Sequence, residues 1–219
     1  DLPPVDPLVV STEPTGRALA PIDHFQFTFT EAMDTSSFAV ADDVANFRAP
    51  TGADLKGQIT DFTWVDDKNL RVNFTPQSAT GPYTMTIGPQ ILADDDQHPM
   101  DQNRNGALGE TPADQYTATV TCVVTIYSAN MDTDPSALSD PAPWSYQGQW
   151  AWGQPTGAFG SWGGSDPDSG YTGDNVVGYN IDNFDGFYPY NMTATEYATT
   201  GPMNCSGYQD VTLSFYGWL

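Results

Sequence analysis

The sequence predicts an all-β protein organised as antiparallel sandwiches, and three observations carry that reading. Apolar residues alternate with polar ones in Phe25-Gln-Phe27-Thr-Phe29, Leu70-Arg-Val72-Asn-Phe74 and Tyr83-Thr-Met85-Thr-Ile87, the period-two mark of a strand with one buried face. Turn signals separate the runs: Pro14-Thr-Gly16, Pro50-Thr-Gly52, residues 65–69, Thr80-Gly-Pro82 and Gly88-Pro89. The third is composition: 20 Gly and 18 Pro in 219 residues are more than helices tolerate.

Taken in chain order, residues 8–11 form the first β-rich run and 25–29 the next, introduced by His24, read as a surface or edge residue. Residues 35–44 are the one stretch that suits a helical turn, with Ser36 or Ser37 as its cap. Runs at 58–64, 70–74, 83–87 and 116–124 complete a set of about seven short strands, the spacing of an antiparallel sandwich.

Ser11-Thr-Glu-Pro14-Thr-Gly16, then Phe27-Thr-Phe29-Thr-Glu31-Ala-Met33-Asp34 with Ser37-Phe38, then Gly81-Pro-Tyr83-Thr-Met85-Thr-Ile87-Gly-Pro89 resemble the bacterial Ig-like domains of surface-layer and other secreted multidomain proteins. The resemblance covers about residues 5–122 and implies an Ig-like sandwich. The family segment after the tyrosine strand reads Asp, two small residues, Asn, Pro, Met and an acidic loop. Here it reads Asp94-Asp-Asp-Gln-His98-Pro99-Met100-Asp101, and His98 departs from the usual small polar residue.

Six Lys and Arg against 28 Asp and Glu give a net charge of −22, which repels phosphate backbones and anionic lipid; nucleic acid and acidic membranes are poor partners. All six cations precede residue 105, whereas 123–219 holds ten acids and no Lys or Arg. That shift places a boundary at 122–130. The expected organisation is a Pro-rich linker at 1–7, a sandwich at 8–125 and a second domain at 126–219. No apolar run of about 20 residues is present to span a bilayer. The leading Asp-Leu-Pro-Pro is no signal peptide, and the chain reads as a segment of a longer one. Cys122 and Cys205 allow at most one disulfide, with two unpaired thiols as the plainer alternative.

The strongest chemical signal is the loop Asp101-Gln-Asn103-Arg-Asn105-Gly106-Ala107-Leu-Gly-Glu110-Thr-Pro-Ala-Asp114. Oxygen side chains at positions 1, 3 and 5 followed by Gly, with the Ala107 carbonyl, suit a hard cation, and Glu110 or Asp114 would close the shell. The expectation is bound Ca²⁺. The alternative is an Asx-rich hairpin whose side chains bond their own backbone, and Arg104 inside the loop favours it. Asp94, Asp95 and Asp96 read as a solvated turn, without the buried setting that acid–base catalysis needs.

From Ser128 onward, Trp150-Ala-Trp152-Gly153-Gln-Pro155, Asp166-Pro-Asp168 with Tyr171-Thr-Gly173, and the closing Val211-Thr-Leu213-Ser-Phe215 resemble the first half of a MAM-like jelly-roll domain. Such domains follow the catalytic unit of secreted bacterial peptidases and occur in adhesins. The resemblance implies a partial jelly-roll sandwich whose 211–215 strand is left as an edge, open to strand addition by another copy. Trp150, Trp152 and Trp162 suggest stacking on a surface glycan, against a reading as core anchors. Asp166, Asp168 and Asp174, with no cation nearby in sequence, are a candidate second calcium set. Asn73, Asn191 and Asn204 open Asn-x-Ser/Thr sequons. With only His24 and His98 and no metallopeptidase, serine-hydrolase or phosphate-loop motif, the expected function is not enzymatic. It is a structural or adhesive module of a larger secreted or cell-surface protein, partnered by other domains of the parent chain. The accessory region of a secreted peptidase and a glycan-binding module stand beside it.

Overall fold

The alternation of Phe25, Phe27 and Phe29 is realised in β3 (Ile22–Phe29), where all three rings are buried while His24, Gln26 and Thr28 turn to the other side. The computed structural model describes residues 6–138, 143–157, 167–181 and 195–217. The chain divides into two units, Asp1–Val124 and Thr125–Leu219, with the break inside the interval that composition marks.

The first unit is an all-β sandwich of two four-stranded sheets. One has the order β1 (Val9–Glu13), β3, β6 (Asn69–Gln77), β5 (Ile59–Asp66), each pair antiparallel. The other has the order β2 (Gly16–Leu19), β8 (Tyr116–Val123), β7 (Gly81–Ile87), β4 (Val44–Arg48). Here β8, β7 and β4 are antiparallel neighbours, but β2 runs parallel to β8. Two strands were not expected. β2 begins at Gly16, the last residue of the expected turn, and runs through residues assigned to no element, and β4 follows the short helix α1 (Val40–Asp43).

The inner faces meet in a core without charged residues on its strands. Leu70, Val72 and Phe74 of β6 alternate inward beside the phenylalanines of β3, and Tyr83, Met85, Ile87, Val120 and Cys122 answer from the second sheet. Phe47 of β4 stands edge-on to Phe25, with centroids 6.3 Å apart at 85°, and lies 4.6 Å from Phe74, so one ring joins both sheets. Each such ring removed from water stabilises by roughly 1.5–3 kcal/mol, which is what fixes the register of the strands that carry them.

Three local expectations are corrected. Neither Ser36 nor Ser37 caps α1; its N-cap is Ala39, whose N–H donates to Asp43 Oδ2 at 2.8 Å. Ser37 Oγ instead accepts from Leu92 N at 3.0 Å. His24 lies within β3, an interior strand rather than an edge, with its side chain 28% exposed on the outer face. Pro7, expected in the linker, is buried, and its carbonyl accepts from Asp101 N at 3.0 Å.

The described residues of the second unit form two small antiparallel sheets, β10 (Trp150–Gly153) with β11 (Val176–Tyr179), and β9 (Ser145–Tyr146) with β12 (Ala198–Thr199). Residues 211–215, expected as a strand, belong to none, and Val211, Leu213 and Phe215 are exposed. Cys122 and Cys205 are both unpaired thiols, Cys122 buried in the sandwich. Among the described residues no helix is long and apolar enough to cross a membrane.

Candidate functional site

The acidic loop hangs between β7 and β8 from a buried methionine. Met100 is fully buried, donates its N–H to Pro89 O at 3.0 Å and accepts from Gly109 N at 2.9 Å. Gly88 makes room for it: its φ is +80°, and a Cβ there would sit 2.6 Å from Met100 Sδ. The apolar Ile91, Ala93 and Met100 thus seat the loop on the core, and bring the two acids at its ends, Asp101 and Asp114, out of water.

Both carboxylates are answered by backbone. Asp101 Oδ1 accepts from Asn105 N at 3.1 Å and Oδ2 from Gly106 N at 2.9 Å. Asp114 Oδ1 accepts from Asn103 N at 3.3 Å and Oδ2 from Glu110 N at 2.8 Å. Three further side-chain oxygens are engaged too: Asn103 Oδ1 accepts from Asn105 N, Asn105 Oδ1 from Ala107 N, and Glu110 Oε2 from Asn105 Nδ2, at 2.7–2.8 Å. A buried carboxylate is tolerated when such donors replace its hydration.

The calcium expectation is corrected accordingly. Asp101, Asn103, Asn105, Glu110 and Asp114 do come together, and their side-chain oxygens accept from N–H groups of the loop itself. Ala107 contributes its N–H to the loop. Among the described residues no group of three or more His, Cys, Asp or Glu is placed to hold a metal ion. The loop is the Asx-rich hairpin, closed by its own backbone donors. Of the second set, Asp166 lies outside the described residues, and Asp168 and Asp174 are exposed side chains.

The proposed stacking residues divide likewise. Trp162 lies outside the described residues. Trp150 and Trp152 are partly buried in β10, pairing with Tyr179 and Val177 of β11. Their indole N–H groups donate to Glu196 O at 3.3 Å and to Met131 O at 2.7 Å. Trp150 meets Tyr179 edge-on at 5.9 Å. Burial pushes the nearby Tyr146 hydroxyl well above the usual tyrosine range, where it donates to Asp134 Oδ1 at 3.1 Å.

Two polar groupings escaped the sequence reading. On the outer face of the first sheet, His24 Nδ1 lies 2.6 Å from Asp23 Oδ1 and 3.1 Å from Arg71 Nη2, while Arg71 Nε donates to Asn73 Oδ1 at 3.1 Å. Nδ1 donates to the carboxylate or accepts from the guanidinium, according to tautomer. The His24 hydrogen bond holds the Asp23 carboxyl below its ordinary value. The polar positions Arg71 and Asn73, alternating with Leu70, Val72 and Phe74, were the available signal. An open cleft of about 450 Å³ borders this patch, lined by Glu13, Pro14, Leu19, Pro21 and His24 among others. The second grouping is His98, the departure from the family pattern, whose Nδ1 lies 3.1 Å from Asp6 Oδ1 and 3.2 Å from Asp96 Oδ2. It ties the leading segment to the acidic turn that sequence alone left solvated.

No protein-family profile and no curated protein matches the chain. Among solved structures, the chain is similar to CopC from Methylosinus trichosporium OB3b at 12% identity and a TM-score of 0.37, over 56% of this chain and 99% of that one. It is also similar to PcoC, a methionine rich copper resistance protein from Escherichia coli, at 16% identity and a TM-score of 0.36, over 54% of this chain and all of that one. The metal named for PcoC is copper, not calcium. At this level of similarity neither neighbour assigns a ligand to this chain.

Proposed function

We propose that this chain is a non-catalytic structural and adhesive module of a larger secreted or cell-surface protein, and that its first unit is a spacer built to resist tension. The supporting observation is the parallel pairing of β2 with β8, Gly16↔Val120 through Leu19↔Val123, extended by the bond from Ala20 N to Val123 O at 2.9 Å. β2 lies near the start of the unit and β8 at its end. Tension applied at the two ends draws β2 backward along its own axis and β8 forward along its own. Every bond in the pair is then loaded at once, rather than opened in sequence as in an unzipping hairpin.

The leading residues are held as well. Gln102 acts as a piece of strand, its Oε1 accepting from Val9 N at 2.8 Å and its Nε2 donating to Val9 O at 3.1 Å. Resistance to force is set by the unfolding barrier rather than by equilibrium stability. Pulling the full chain between handles at its termini tests the reading. Release of β1 through β8, at about 3.6 Å per residue, adds roughly 40 nm. A distinct force peak followed by that lengthening is expected; extension without a separate peak sinks the spacer reading.

Exposed Val211, Leu213 and Phe215, at alternate positions in a run outside any strand, favour strand addition by a second copy as a further reading. Copies carrying −22 each repel, so association should strengthen with salt and weaken in Leu213→Asp. A sedimentation coefficient that stays monomeric at all salt concentrations removes this reading.

A further inference from the structure

The three sequons were left without a role by the spacer reading, and two of them, at Asn73 and Asn204, lie among the described residues in opposite surroundings. Asn73 sits inside β6, half-buried, with both ends of its amide engaged: Nδ2 donates to Asp61 Oδ1, and Oδ1 accepts from Arg71 Nε at 3.1 Å. Asn204 is exposed in a segment outside any helix or strand. Its Oδ1 accepts from Ser206 N at 3.0 Å and from Ser206 Oγ at 2.6 Å, and Cys205 O accepts from Tyr208 N at 3.2 Å. The turn therefore bends the sequon back on itself. It commits the carboxamide oxygen to the hydroxyl two residues on, in a side chain that stays exposed. Gly207, at φ +87° with open space around it, lets the chain leave the turn without covering the asparagine.

We propose that Asn204 is an N-glycosylation acceptor in the folded chain, with Ser206 as its positioning residue, and that the fold withholds Asn73. Asn-x-Ser/Thr is the acceptor rule for this modification, and the substrate it needs is accessible backbone that can be grasped by the transferring enzyme. In the reaction the Asn204 Nδ2 loses one proton and bonds to the anomeric carbon of a lipid-diphosphate-linked oligosaccharide. The bond from that carbon to the diphosphate oxygen breaks, and the lipid diphosphate departs with the electron pair. No oxidant or reductant enters.

A strand-bound asparagine is a poor acceptor because six residues of β6 already pair with β3 and six with β5. Exposing Asn73 would mean opening an interior strand of the sandwich. The Asn204 turn, by contrast, lies outside any strand and is held by local hydrogen bonds, between Asn204 and Ser206 and between Cys205 and Tyr208.

The full chain, folded, is incubated with a purified oligosaccharyltransferase and its lipid-linked oligosaccharide, and each sequon is read by peptide mass spectrometry. These purified components make the outcome independent of where the protein resides and of the spacer reading. Added glycan mass at Asn204 with none at Asn73 is expected, together with loss of the modification in Ser206→Ala and its retention in Ser206→Thr. After denaturation in urea followed by dilution into the reaction, Asn73 should become modified. An unmodified Asn204 in the folded chain, equal modification of both asparagines, or a Ser206→Ala variant as well modified as the parent would each overturn the proposal.

Discussion

Replacing Asp114 by Ala removes the carboxylate that clasps both limbs of the acidic loop, and the geometry sets the size of the effect. The side chain is wholly buried and accepts two backbone N–H groups, from Glu110 at 2.8 Å and Asn103 at 3.3 Å. A hydrogen bond to a charged group contributes about 1.5–3 kcal/mol net, and the longer bond belongs at the low end. Water reaches the exposed limbs of the loop and recovers part of the loss, so the expected cost is about 2–4 kcal/mol. For a sandwich of this size that lowers Tm by roughly 10 °C. Asp114→Asn keeps one acceptor but turns an amide N–H toward a backbone N–H, so it should recover less than half of the cost. Hydrogen exchange gives the local readout: the amides of Asn103 and Glu110 should exchange faster in Asp114→Ala, while those of β3 and β6 change only with global stability. A destabilisation under about 0.5 kcal/mol, within the range of an ordinary surface substitution, would refute the backbone clasp.

The loop and its surroundings set three further outcomes. Because the loop oxygens are already bonded to N–H groups, thermal unfolding monitored by circular dichroism should be unmoved by EDTA or by added Ca²⁺; a metal-dependent Tm would restore the calcium loop. Burial raises the Glu31 carboxyl above its ordinary value of 4.5, aided by Asp95, Asp96 and Asp6, and its Oε1 is buried without a hydrogen-bond partner. Folding thus favours the protonated form: that contribution is complete below the ordinary glutamate value and is lost as pH rises through the raised one. Glu31→Gln should therefore be more stable than the parent at pH 7 in urea titrations, and the gain should vanish in acid; a pH-independent difference contradicts the assignment. Gly88→Ala strains a left-handed backbone and drives a Cβ into Met100, so it should destabilise by about 1–3 kcal/mol, with the loop amides again the first to exchange.

Much of the sandwich was legible because its central strands keep a strict period of two. Phe25 to Phe29, Leu70 to Phe74 and Tyr83 to Ile87 show their buried face directly. β4 was hidden because its register shifts between Val44 and Asn46, which spaces its two buried anchors, Val44 and Phe47, by three residues. β2 was hidden because its partner lies about a hundred residues away and Gly16-Arg-Ala-Leu19 carries no buried alternation of its own. The acidic loop was found as a cluster but misjudged in chemistry. Spacing brings oxygens together, whereas it is the folded backbone of the loop that turns N–H groups toward them. His98 entered the sequence as a departure from a family pattern, and its role becomes visible only when Asp6 arrives beside it from the leading segment.

The parallel β2–β8 pair is tested most directly by proline substitution under force. Ala20 donates its N–H to Val123 O, so by the alternation of the ladder Ala18 also faces β8, whereas the Leu19 N–H faces away. Proline at position 18 removes a donor from the pair; at position 19 it removes none. Pulled from its termini, the chain carrying Ala18→Pro should lose most of the first unit's unfolding force, while Leu19→Pro keeps it. Equal forces for the two variants and the parent would contradict a tension-resisting pair.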